Sequence, residues 1–320
     1  MTTVSDMLFQ LGGVPAMAGV PFSRDAKYFF VDPARGSNDN NGTSPERAFA
    51  GLEAAEDACV ANRHDTIFYI AGATTMELAA ALVWDKSYTH LIGICAPTHA
   101  AQRARINQES IAASPLITIS ASGCIFKNLY IFHGVADAAS LVNIQVTGGR
   151  NFFHNVHFAG GGHATQAIDT GASLLLNGAE ENLFQDCTIG VDTIPAATGM
   201  AGLVFAATGG AARNVFRDCR FTMKAGAAGA IFVELLGNSG IDRYQIFERC
   251  LFINLAATAM SQAFAVAAGF DANDKRVILK DCALLGATDW DAANRGILYL
   301  SGGTATSGGY TGLLQASVVT

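Results

Sequence analysis

A short phrase returns six times along this chain: FKNLYI at 126–131, FHNVHF at 153–158, FQDCTI at 184–189, FRDCRF at 216–221, FERCLF at 247–252 and LKDCAL at 279–284. Its third residue falls at Asn128, Asn155, Asp186, Asp218, Arg249 and Asp281, in steps of 27, 31, 32, 31 and 32 residues. A near-fixed period of this size is the mark of stacked repeats. Each phrase reads apolar, outward polar, Asn or Asp, apolar, outward, apolar, which describes a strand on either side of a one-residue bend. Asn and Asp suit that bend because their short polar side chains bond the local backbone and tolerate the left-handed conformation. Arg249 is the exception in the series.

Upstream of each phrase lies a further apolar stretch: LITIS at 116, LVNIQV at 141, SLLLN at 173, GLVFAA at 202, AIFVELL at 230 and AFAVAA at 263. Each repeat therefore supplies three short strands. A three-stranded unit cannot bury its own apolar side, but stacking pairs every strand with its equivalents above and below and makes one continuous core. The pattern predicts an all-β fold, a single-stranded right-handed parallel β-helix or solenoid, with coils about 4.8 Å apart. Helical repeats share a similar period. Val, Ile and Phe between Gly-containing turns favour strands instead.

Composition agrees with a solenoid and adds a constraint on its surface. Half of the 320 residues are hydrophobic and only 15% are charged, so some of the outer wall is expected to be buried against other subunits. No stretch reaches the 18 or more apolar residues of a membrane span, and Asp6 without a preceding Lys or Arg argues against a signal peptide. A net charge of −7 disfavours a nucleic-acid partner, which calls for clustered Lys and Arg. Of the seven cysteines, Cys187, Cys219, Cys250 and Cys282 take the rung that Leu129 and Val156 hold in earlier coils. A site shared with Leu and Val is a core site, so these four are expected to form a buried ladder of reduced thiols.

The chain divides into three regions: an extended apolar arm at 1–25, an N-terminal cap with the first strands at 26–70, and the β-helix body with a closing segment at 71–320. The arm has no period that would bury it within a domain, and Leu8, Phe9, Leu11, Val14 and Phe22 are its candidate docking residues. The cap is expected to hold a strand in YFFVDP, a helix over AGLEAAEDACVAN with Leu52, Ala55 and Cys59 on one face, and a strand in DTIFYIAG. The loop GSNDNNGTSP offers oxygen donors at Asn38, Asp39, Asn40, Asn41 and Thr43, but it lacks the spacing of a calcium loop, and turn chemistry accounts for each residue. His154 and His157 are expected to point outward, and Trp84 and Trp290 to anchor loops.

The succession of FVDP, an Asn/Gly-rich loop, GTSPERAFAGLEAA, IFYIAG and coils closed by F-x-D-C-x-F resembles the right-handed β-helix proteins of tailed bacteriophages, within the pectate-lyase-like superfamily. The opening SDMLFQLGGVP is similar to the arm of virion proteins of that kind. The resemblance implies a noncatalytic structural protein made in the host cytoplasm and placed on the capsid surface. It would decorate or cement the head as a homotrimer, with the major capsid protein or other virion proteins as partners and no cofactor. The alternatives are a tail-spike-like domain that binds or cleaves polysaccharide and a bare assembly scaffold. A glycosidase or lyase needs paired carboxylates, or carboxylates with a cation and a base. Among the upstream stretches only Glu234 is acidic and none holds Lys or Arg.

Overall fold

The computed structural model describes residues 23–268, 275–292 and 298–301. The candidate docking residues Leu8, Phe9, Leu11, Val14 and Phe22 lie outside them, as do residues 302–320 of the region expected to hold the closing segment. Every paired strand runs parallel to its neighbours, and each coil adds one rung to three faces. Face 1 carries the first half of each phrase and face 2 the second half. Face 3, built from the upstream stretches, is a seven-stranded sheet running from Leu82–Trp84 through Ile117–Ile119, Val142–Val146, Ala172–Leu176, Ala201–Phe205 and Ile231–Leu235 to Phe264–Val266. With one strand of face 3 per coil, the chain winds about seven turns of a right-handed parallel β-helix.

The bends explain how one phrase serves two faces. Asn128, Asn155, Asp186, Asp218, Arg249 and Asp281 all take positive φ, between 51° and 54°. Arg249 thus adopts the bend despite its side chain. Register carries the first Phe of each phrase into one column: Phe126 pairs with Phe153, then Phe184, Phe216, Phe247 and Leu279. All six point into the core, and successive phenyl rings from Phe126 to Phe247 stack 4.6 to 5.0 Å apart. Four rungs lie outside the marked phrases, Phe29, Ile67 and Leu91 before them and Leu300 after.

Two features depart from the sequence expectation. The cap helix, α1, spans Leu52–Ala58 and not the whole of 50–62. Cys59 is already extended, and the Val60 N–H donates to the Asp65 carboxylate at 2.9 Å, which draws the chain out of the helical ladder. α1 still buries Leu52 and Ala55, and Cys59 is buried just beyond it. Its Glu56 is held by the Lys86 ammonium at 3.1 Å, tying cap to coil. Trp84 is no loop anchor but a core residue of face 3, 1% exposed and edge-on to Phe126; Trp290 is half-buried against Phe252.

In the Asn-rich loop, Asn38 Oδ1 accepts the Ala50 and Gly51 N–H groups at 3.0 and 2.9 Å, and Asn41 Oδ1 accepts the Thr43 N–H and hydroxyl. Those oxygens serve the turn. The loop also closes the open edge of the first rung, since Phe30 N–H donates to Gly42 O and Phe49 N–H to Phe30 O.

Candidate functional site

The four repeat cysteines sit one per coil immediately after the bend. Cys187, Cys219 and Cys250 are 1% exposed, whereas Cys282 is half-buried near the C-terminal end of the stack. Each Sγ donates to the carbonyl of the Phe one coil earlier, Phe153, Phe184, Phe216 and Phe247, at 3.3 to 3.4 Å. Burial pushes the Cys219 thiol up, so it stays protonated and unreactive.

A second buried ladder precedes the phrase by two residues. Asn214 Oδ1 accepts the backbone N–H of Asn182 at 3.0 Å, and its amide donates to Gln245 Oε1 at 3.0 Å. Asn182 does the same for the Asn151 N–H at 2.9 Å. Asn151, Asn182, Asn214 and Gln245 are at most 2% exposed. Their signal, Asn-x-Phe or Gln-x-Phe ahead of each bend, was present in the sequence at 151, 182, 214 and 245 but was masked by the stronger phrase that follows it.

The outer wall of face 1 is charged and laterally neutralised. Glu248 receives Arg217 Nε, Arg249 Nη1 and Lys280 Nζ, each at 2.9 Å, and these bonds hold its carboxyl down to about 2. His154 stands on this wall, half-buried, 3.3 Å from Asp186. His157 is different. Residues 95–104 replace the one-residue bend in the coil before Asn128 and fold across face 2, where His99 O accepts the Thr188 hydroxyl and Gln102 donates to Asn155 Oδ1 at 2.8 Å. His157 Nδ1 accepts the Ala101 N–H at 3.1 Å, so its proton rests on Nε2, which donates to Gly190 O at 2.9 Å. His157 therefore points outward but lies beneath this strap and is buried.

The outer wall of face 3 has another character. Register aligns Gln145, Leu175, Val204, Glu234 and Ala265 in one outward row, and Val142, Ala172, Ala201 and Ile231 in a second. Seven of these nine residues are apolar, and they form a cluster separate from the interior core. Withdrawal from water raises the Glu234 carboxyl above its ordinary value, with the Asp169 carboxylate adding to the effect. A carboxyl so placed is a candidate proton carrier. Among the described residues, no group of three or more His, Cys, Asp or Glu converges to hold a metal ion.

The geometry defines a parallel β-solenoid with one self-neutralised charged wall and, outside face 3, an apolar cluster that is largely buried within the chain. No protein-family model matches the sequence, and no curated protein matches it. Among solved structures, the chain is similar to pectin methylesterase PemA from Erwinia chrysanthemi, with TM-score 0.59 and 14% identity over 90% of this chain and 93% of that one. It is likewise similar to the pectin methylesterase from Aspergillus niger, with TM-score 0.53 and 14% identity over 93% of each chain. The Geobacillus virus E2 protein ORF18 aligns at TM-score 0.36 and 10% identity over 85% of this chain and 61% of that one, a level that carries no argument. At these identities the likeness is one of fold alone, the right-handed parallel β-helix.

Proposed function

We propose that this chain is a noncatalytic structural protein of a tailed-phage virion, one that decorates or cements the capsid as a homotrimer and attaches through its N-terminal arm. The observation that carries this reading is the apolar cluster outside face 3, which runs from Val142 to Ala265 across successive coils. Ala172, Ala201, Val204 and Ile231 are already buried within the chain, while Val142, Leu175 and Ala265 beside them stay partly exposed, an apolar strip that a subunit contact would cover. The sparse charge of the chain, the apolar residues Leu8, Phe9, Leu11, Val14 and Phe22, and the resemblance of the sequence to phage β-helix proteins support the same reading.

A second reading rests on Glu234. Its raised carboxyl near Asp169, on the apolar wall, suits acid–base chemistry on a polysaccharide, and the solved neighbours named above are pectin methylesterases. Those share the fold, and their activity does not pass to this chain at 14% identity.

Quantitative mass spectrometry of purified virions tests the proposal. The chain is expected in fixed ratio to the major shell protein, and light scattering of the isolated protein should give three times the 33.4 kDa chain mass. Absence from virions, together with release of reducing sugar or unsaturated product from pectic polymers, would transfer the assignment to the second reading.

A further inference from the structure

A smaller apolar cluster stands on the outer side of face 1 at its N-terminal end. Tyr28, Phe68 and Ile92 form it, with Phe30 packed against them. Strand alternation places it outside the solenoid, because Phe29, Ile67 and Leu91 from the same strands belong to the interior core. Phe68 lies 6.1 Å from Tyr28 and 5.6 Å from Phe30, ring centre to ring centre.

Side chains on an open sheet wall keep their tips in water, yet Tyr28, Phe68 and Ile92 are only 8%, 7% and 9% exposed. Two hydroxyls point the same way. Tyr28 and Thr66 are partners in register, and among the described residues both Tyr28 Oη and Thr66 Oγ1 are buried without a hydrogen-bond partner. Such groups call for backbone donors and acceptors close by. Burial also raises the Tyr28 hydroxyl above its ordinary value.

The described chain starts at this corner. Ser23 Oγ donates to Arg63 O at 2.7 Å and the Lys27 N–H donates to Asp65 Oδ1 at 2.8 Å, and Asp65 directly precedes Thr66. The 22 residues before Ser23 carry one charged side chain, Asp6, among Met, Leu, Phe, Val and Pro. They are apolar enough to suit the cluster. Extended, they would span roughly 70 Å, so reach sets no limit.

We propose that residues 1–22 of the same chain lie across Tyr28, Phe30, Phe68 and Ile92 in the free protein, their backbone groups bonding the Tyr28 and Thr66 hydroxyls. Attachment at Ser23 gives this segment a large advantage in effective concentration over the arm of a second copy. The cluster is then a seat that stores the arm before it engages a partner. The inference takes the arm from the proposed function but concerns the isolated chain, so absence of the protein from virions would leave it standing.

Hydrogen exchange of the full-length protein, read by mass spectrometry at low and high concentration, tests it. Amides of residues 8–22 should exchange at least about 100-fold more slowly than in a free peptide of the same sequence, equally at both concentrations. In a Phe30→Ser, Phe68→Ser double variant that protection should vanish while residues 142–146 and 201–205 keep theirs. Tyr28→Phe, which removes only the hydroxyl, should weaken it several-fold and serves if the double variant does not fold. Free exchange of residues 8–22 in the wild type would overturn the proposal, as would protection that survives the substitutions in a folded body. Protection that grows with concentration would assign the seat to a second copy and overturn it equally.

Discussion

Arg249 and Asp218 occupy the same bend in successive coils, and the Arg249 guanidinium grips both oxygens of the Asp218 carboxylate, Nε at 2.7 Å and Nη2 at 2.8 Å. The residue that broke the Asn/Asp series is thus bonded to the residue it follows in space. Arg lacks the short side chain that eases positive φ, but one coil away it finds a fork-shaped partner, and Glu248 takes its other amino group. Arg249→Asn trades an exposed ion pair for a residue at home in the bend, so the urea midpoint should stay where it is. Arg249→Val has neither compensation and should lower the midpoint. A wild-type midpoint for the Val variant would show that the bend tolerates any residue.

The bends were legible because their requirement is local. One backbone conformation selects Asn or Asp, and the requirement recurs every coil. The strap at 95–104 was not legible, since HLIGIC ends its strand without a polar bend residue and nothing in the sequence marks where the inserted residues return. That is why the sequence shows His157 pointing outward but not that it is buried there. The cluster at Tyr28, Phe30, Phe68 and Ile92 escaped for a related reason. YFFV and TIFYI are apolar on both faces, so period alone cannot say that half of those side chains leave the core.

The cysteine column provides a direct probe of coil register. Cys219 packs between equivalent thiols and donates to carbonyls of Phe184 and Arg217, both at 3.4 Å. Cys219→Val keeps an apolar group of similar size and should cost less than about 1.5 kcal/mol. Cys219→Asp places a carboxylate without a cationic partner in that column and should cost several kcal/mol, roughly 3 to 5. A thiol reagent applied to the native protein should modify the half-buried Cys95 and Cys282 well before Cys187, Cys219 and Cys250. Equal labelling of all seven would contradict the inward placement of the column.

Acid should unfold the protein through its buried histidines. His90, His133 and His157 are each brought down to about 4, chiefly by burial. His90 Nδ1 accepts the Ile125 N–H at 3.1 Å, so protonation there would break a bond as well as bury a charge. The unfolded chain takes up protons near the ordinary histidine value while the folded chain does not. Their contribution is therefore complete above about pH 6.5 and is lost as pH falls through about 4, with a slope of about 1.4 kcal/mol per pH unit for each histidine. Urea midpoints measured between pH 7 and 4.5 should fall steadily. His157→Gln should reduce the slope, and an unchanged slope in that variant would remove His157 from the account.

The amide ladder should matter more to stability than the cysteine column, although it buries less apolar surface. Asn214 makes four bonds in the interior: its Oδ1 accepts the backbone and side-chain N–H groups of Asn182, both at 3.0 Å, and its Nδ2 donates to Ala179 O at 2.9 Å and Gln245 Oε1 at 3.0 Å. Asn214→Ala strips partners from three residues that have no route to water. Each orphaned group costs about 1 to 3 kcal/mol, and relaxation recovers part of it, so a loss of roughly 3 to 5 kcal/mol is expected. Asn214→Gln keeps an amide but lengthens its arm, which should restore part of the loss, because Gln245 already fills the same rung one coil on, where Tyr244 adds a residue ahead of it. Denaturant unfolding of the two variants beside Cys219→Val decides the ranking. If Asn214→Ala proves no worse than Cys219→Val, the coils are held by side-chain packing alone and the amide ladder is incidental to them.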